Sequence, residues 1–241
     1  MRALPARVRA GLAAHGGRYV PLSRIPRVLQ EAIVAAEDER FYEHPGIDGL
    51  ALGRAAIADL RAGRVVEGGS TLTEQLADVV LVGGDRTPVR RLITMVLALH
   101  IERWFSKARI LELYLNAVYF GEGAYGVGRA AEVYFHRQVW ALDLAQSALL
   151  AGLPRGPSED DPLRHPEAAL RRSGEVLAAM ERTGAITHEE AVDAQRELTG
   201  WLMAGHRTRT RRRCRIRTLG APRDDDGVFA PSLTLGYRPG T

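Results

Sequence analysis

The chain has 241 residues, 46% of them hydrophobic and 26% charged, which suits one domain with its own core and is too short for two full-sized ones. Its formal charge is +4, but seven arginines lie between Arg207 and Arg217. Without them the remainder is mildly acidic, so the basic balance belongs to a tail and nucleic acid is not an expected partner. A single cysteine, Cys214, excludes an internal disulfide framework.

Residues 1–18 are mixed and end in a Gly16-Gly17 loop. They carry arginines without the sustained apolar core of a signal peptide, and no run approaches the ~18 apolar residues that span a bilayer. No anchor is therefore expected in the chain as written, and 1–18 reads as an N-terminal segment left from an anchor region. Helical spacing begins over 25–42, with Leu29 and Ile33 one turn apart, and His44-Pro45-Gly46 breaks it. A second helix is predicted over 50–61, before Gly63 and Gly68-Gly69. Thr71 and Glu74 have capping-box spacing at the start of a third. Thr87-Pro88 opens a fourth, with Val89, Leu92, Ile93, Val96, Leu97, Ile101 and Trp104 on the period of 3.6. Ser106 caps the next, and further helices fit 142–153, 166–182 and 188–198. From about His206 the pattern stops, and the Arg-rich 201–241 reads as a disordered tail. The fold class is mainly α.

Glu37-Asp38-Glu39 runs against local rules. Leu29, Ile33 and Glu37 share one helical face, so a carboxylate continues an apolar stripe. Three acids at a helix C-terminus also oppose the macrodipole. A carboxylate in apolar surroundings has a raised pKa, as a general base or acid near neutrality needs. Pairing of Glu37 with an arginine is the other reading of the same spacing.

EDERFYEHPG (Glu37–Gly46), GGSTLTEQL (Gly68–Leu76), the Arg90-Arg91 pair, ILELYLNAVYFGEGAYGVGRAAEVYF (Ile110–Phe135) and QSALLAGLPRGPSEDDPLRHPEAALRR (Gln146–Arg172) occur in this order. Together they resemble the motifs of glycosyltransferase family 51, the peptidoglycan glycosyltransferases found alone or in class A penicillin-binding proteins. The resemblance covers about 19–200, taken as the domain. It implies a lysozyme-like glycosyltransferase fold with a larger globular lobe and a smaller membrane-facing lobe. It also implies polymerisation of lipid II into glycan strands, by inverting transfer from a polyprenyl-diphosphate donor, at the outer face of the bacterial cytoplasmic membrane. Its partners would be lipid II, the nascent glycan strand, the membrane surface and cell-wall synthesis proteins, with Mg²⁺ or Mn²⁺ as cofactor.

On the matching positions, the resemblance makes Glu37 the catalytic base. It makes Asp38, Phe41, His44, Gly68, Gly69, Ser70, Thr71, Gln75, Arg86, Arg90 and Arg91 substrate-binding residues. Gly68-Gly69 would let backbone approach the ligand, and the helix opened by Ser70-Thr71 would offer N–H groups to phosphate.

The chain departs from the family pattern at Asp78 and Val79, where Lys-Asn is usual, at Thr94, where a second Glu is usual, and at Glu74, where Gln is usual. These changes remove a lysine and an acid from the leaving-group side and add two acids there. A catalytically impaired relative that binds lipid II or a cell-wall synthesis partner is the alternative they raise. Glu74 is readable as a capping residue, or, with Asp78, as a holder of a metal that bridges the diphosphate.

Other signals carry less. The GxGxxG at 121–126 follows a helical pattern rather than a strand, so it reads as a structural loop. The seven histidines form no HExxH. Lys107, the only lysine, is preceded at Ser-x-x-Lys spacing by Trp104, which excludes a transpeptidase motif.

Overall fold

The computed structural model describes residues 1–62, 69–83 and 87–219, with side chains for 1–55, 69–83 and 87–204. Among these residues there is no β-strand beyond an isolated bridge between Tyr119 and Tyr125. The mainly α class expected from the sequence holds.

Helix α1 (Leu4–Ala14) turns Leu4, Val8 and Leu12 inward at i, i+4 steps. It packs on α6 (Lys107–Ala117), so residues expected to stand apart from the domain belong to its core. After a 3₁₀ turn at Leu22–Arg24 comes α2 (Arg27–Glu37). It is shorter than the predicted 25–42 because Pro26 sits at its N-cap and Asp38 leaves helical geometry at φ −161°, ψ 73°. Helix α3 (Gly49–Ala62) follows.

Thr71 caps α4 (Leu72–Ala77) by accepting from Glu74 N at 3.1 Å. The capping box is only half formed, because the Glu74 carboxylate reaches no donor. A π-helical turn at Asp78–Val82 connects α4 toward α5 (Pro88–Trp104), which Thr87 caps as expected. Most of the apolar stripe of α5 faces outward, with Val89 68% and Leu92 66% exposed, while Ile101 joins Thr94 and Ala98 on the buried side. Helix α6 is capped by Ser106 and buries Ile110, Leu111, Leu113, Tyr114 and Leu115.

The glycine-rich loop leads into α7 (Val127–Phe135) with no flanking strand. Helix α8 (Leu144–Gly152) is apolar on every side, and α2, α9 (Pro166–Arg182) and α10 (His188–Leu219) all pack on it. Helix α10 passes the predicted stop at 198 and runs through part of the expected tail. The segment 206–219 holds no Gly or Pro and is rich in arginine, a good helix former. Residues 220–241 lie outside the described residues.

The packing brings two groups of helices together at one point. Helix α2 lies against α8 and α9, α4 lies against α5 and α6, and the end of α2 meets the start of α4.

Candidate active site

Glu37 is the last residue of α2, on the face where Leu29 and Ile33 are fully buried. Its side chain is 8% exposed. Gln75 Nε2 donates to Glu37 Oε2 at 2.9 Å, and the Tyr114 hydroxyl donates to Gln75 Oε1 at 3.0 Å. From the other side Arg172 Nη2 stands 3.4 Å from Glu37 Oε1. Burial pushes the Glu37 carboxyl up from its ordinary range; the Gln75 hydrogen bond and the charges of Arg172 and Arg155 pull it part of the way back. The two readings of the sequence are thus both realised, a carboxylate in an apolar stripe and a carboxylate beside an arginine.

Arg172 was not anticipated. It lies on the inner face of α9 among Ala169, Ser173, Val176, Leu177 and Met180, all buried. Its Nε donates to the Gly152 carbonyl at 3.3 Å and its Nη1 pairs with Glu175 at 2.8 Å. A Cβ on Gly152 would lie 2.8 Å from Arg172 Cγ, so the close approach needs glycine at the end of α8. The legible signal was an arginine at 3–4 spacing inside a buried stripe.

Asp38, Phe41, His44 and Thr71, expected to touch substrate, are buried and serve as internal supports. Asp38 Oδ1 pairs with His44 Nε2 at 2.9 Å, and Asp38 Oδ2 accepts from Leu72 N at 2.9 Å. His44 Nδ1 accepts from Gly46 N at 3.1 Å, which assigns the ring proton to Nε2. Thr71 donates to the Gly46 carbonyl at 2.7 Å. Phe41 is fully buried beneath Lys107, whose ammonium lies 4.4 Å from the ring centroid and donates to the His44 carbonyl at 2.6 Å. These bonds tie the end of α2 to the start of α4 and so fix Glu37 against Gln75.

Three N–H groups at the start of α4, where a phosphate cradle is expected, already have partners. Those of Leu72, Glu74 and Gln75 are committed to Asp38, the Thr71 hydroxyl and the Thr71 carbonyl. Ser70 is exposed, and Gly69 is buried against Leu52 and Ala55. Gly68 and Arg86 lie outside the described residues.

On α5, Arg90 is held by Asp78 in a two-point pair, Nε to Oδ1 at 2.6 Å and Nη2 to Oδ2 at 2.5 Å, while Arg91 is exposed. Thr94 is buried, and its hydroxyl donates to the Arg91 carbonyl at 2.7 Å.

Asp38, His44 and Asp48 bring three candidate metal-ligand atoms within 4.8 Å of one another. They do not fit a divalent ion. Asp38 and His44 are bonded to each other and to backbone, and Asp48 is engaged by Arg40 and by the N–H groups of Leu50 and Ala51.

These features define a helical domain in which the end of α2 and the start of α4 hold the Glu37 carboxylate, its side chain 8% exposed, against Gln75. The chain belongs to the transglycosylase family, whose pattern matches residues 7–181. It is 49% identical over 176 residues to penicillin-binding protein 1A of Aquifex aeolicus, covering 73% of this chain and 24% of that protein. A Cupriavidus necator protein named as a transglycosylase is 43% identical over 176 residues, covering 73% of this chain and 76% of the relative. Penicillin-binding protein 1F of Bacillus subtilis is 41% identical over 191 residues, with 79% and 27% covered. The chain thus spans about a quarter of the length of these two penicillin-binding proteins. The crystal structure of penicillin-binding protein 1A from Haemophilus influenzae, 24% identical, covers 75% of this chain and 18% of that one with a TM-score of 0.43.

Proposed function

We propose that the chain is a peptidoglycan glycosyltransferase that extends glycan strands from lipid II, with Glu37 as general base. The observation that carries this reading is the Glu37 carboxylate, nearly closed from water and raised in pKa by burial, yet held at one oxygen by an amide. Such a group accepts a proton more readily than an ordinary carboxylate while its orientation stays fixed. Glu37 takes the proton of the acceptor sugar hydroxyl as that oxygen attacks the donor anomeric carbon. The bond from that carbon to the diphosphate oxygen breaks with inversion, and the lipid diphosphate leaves with the electron pair. Arg91, exposed on α5, would balance the growing negative charge. Any divalent ion would enter with the diphosphate rather than in a cage of protein ligands.

The outward stripe of Val89, Leu92, Ile93 and Val96 on α5 supports placement against a membrane surface, where lipid-linked substrates reside. Among the described residues no helix is long and apolar enough to cross a membrane. On this reading the domain works at the outer face of the cytoplasmic membrane.

A second reading, a relative that binds lipid II or a cell-wall synthesis partner without polymerising, is favoured by two observations. Asp78 occupies Arg90, and Thr94 supplies no carboxylate. Incubation with labelled lipid II separates the two: polymer from the wild type and none from Glu37→Gln supports the enzyme. Lipid II binding without polymer in both proteins supports the second reading.

A further inference from the structure

Among the described residues, Glu74 stands apart from the other acids around α4. Glu37 has Gln75 and Arg172, Asp38 has His44 and Leu72 N, Asp78 has Arg90, and Glu102 has Lys107 and Thr73. Glu74 is 2% exposed, and neither of its carboxylate oxygens has a hydrogen-bond partner. A buried carboxylate without partners is costly, so its presence one residue before Gln75 calls for an account. The charges that act on it come from the two sides of the site, Asp38 at the end of α2 and Arg91 on α5.

We propose that Glu74 is a proton-dependent positioning residue that controls the anion-binding strength of Arg91 toward the diphosphate of the lipid-linked donor. When neutral, Glu74 leaves the Arg91 charge available to the diphosphate. When ionised, it attracts Arg91 and sets a poorly screened negative charge behind the anion. The proposal rests on the donor class given under Proposed function. It deepens that reading by naming which group sets affinity for the donor and in which direction pH moves it.

Burial brings the Glu74 carboxyl up to about 7, so both forms are populated near neutral pH. Arg91 lowers it and Asp38 raises it, each less than burial does. Besides the pairs named above, α5 and α6 carry Arg109, which pairs with Glu112, and His100 and Arg103, both exposed toward the far end of α5. A cysteine, histidine or metal is not needed for the switch; one orphan carboxylate and one exposed guanidinium suffice. Glutamine at 74 keeps the shape and removes the charge.

The test is binding of geranylgeranyl diphosphate in neutral detergent micelles, measured by titration calorimetry from pH 5.5 to 8.5 for the wild type and Glu74→Gln. The probe's own ionisation is common to both proteins, so the readout is the ratio of their dissociation constants. That ratio is expected to be near one at pH 5.5 and to rise to about tenfold, the wild type binding more weakly, at pH 8.5. A ratio that stays flat, or absence of probe binding by both proteins, overturns the proposal. Polymerisation of lipid II is scored separately. Polymer with a flat ratio removes the role of Glu74 and leaves the enzyme, whereas a rising ratio without polymer keeps the role of Glu74 and removes the enzyme. Thermal melts of both proteins establish that each is folded throughout the range.

Discussion

Gln75 grips Glu37 at one oxygen, 2.9 Å from Nε2 to Oε2, and is itself held by the Tyr114 hydroxyl at 3.0 Å. A flipped amide would set Gln75 Oε1 against the oxygen of the ionised carboxylate, so the amide faces Glu37 as a donor. A donor to a carboxylate stabilises the ionised form and limits the upward shift that burial imposes. Because the base works ionised, activity is expected to rise with pH through the raised pKa of Glu37. Gln75→Leu should move that acid limb of kcat/KM upward by about one pH unit while leaving the alkaline plateau nearly unchanged. The pH profile of lipid II polymerisation checks this; an unmoved limb would place the amide elsewhere during the reaction.

Asp78 neutralises Arg90 in a pair that is only partly buried, 14% exposed on the arginine side and 34% on the aspartate side. Asp78→Asn should free a cation on the leaving-group side at a stability cost of about 1 kcal/mol or less. A several-fold lower KM for lipid II is expected, with kcat changed less. Initial rates across lipid II concentrations read both constants. An unchanged KM would show that Arg90 does not face the donor.

Burial raises the Glu74 carboxyl to about 7 from an ordinary 4.5. For a carboxyl raised on folding, the folded state binds the extra proton, so stability is full below about 4.5 and declines as pH rises toward and through 7. Glu74→Gln should match the wild type near pH 4.5 and become more stable above it, by up to about 3 kcal/mol near pH 8. Thermal denaturation of both proteins across that range measures it. Equal pH dependence in the two would mean that Glu74 finds a partner in solution.

The stripe on α5 costs little to change, because surface substitutions away from packed features shift stability by about 0.5 kcal/mol or less. Leu92→Glu combined with Val96→Glu should keep the melting temperature and lower sedimentation with phospholipid vesicles about tenfold. Retained vesicle binding would assign the stripe to another surface.

Much of the helical plan was legible because capping hydroxyls and prolines are local signals. Thr71, Thr87 and Ser106 cap the helices where the sequence placed them. Helix α1 was missed because Leu4, Val8 and Leu12 follow a periodicity diluted by arginines, and its partner α6 lies a hundred residues away. The outward turn of α5 was equally hidden, since a period of 3.6 defines an apolar face without saying whether protein or another medium covers it.

At the site, the burial of Glu37 could be read from its place after Leu29 and Ile33. What could not be read was the division of labour among its neighbours. Asp38, His44 and Thr71 are polar residues in a motif, yet long-range bonds to Leu72 N and the Gly46 carbonyl turn them inward. The Glu74 spacing suggested a cap, whereas the fold buries its carboxylate without a donor.

The most direct test of Glu37 as base is the initial rate of lipid II polymerisation by the wild type and Glu37→Gln, with lipid II binding measured on the same preparations. Glutamine preserves shape and removes the proton acceptor. The expected result is polymer from the wild type, a loss of about a hundredfold or more in rate for Glu37→Gln, and binding kept within a few fold. A variant that polymerises at close to the wild-type rate would contradict the assignment of Glu37 as the base.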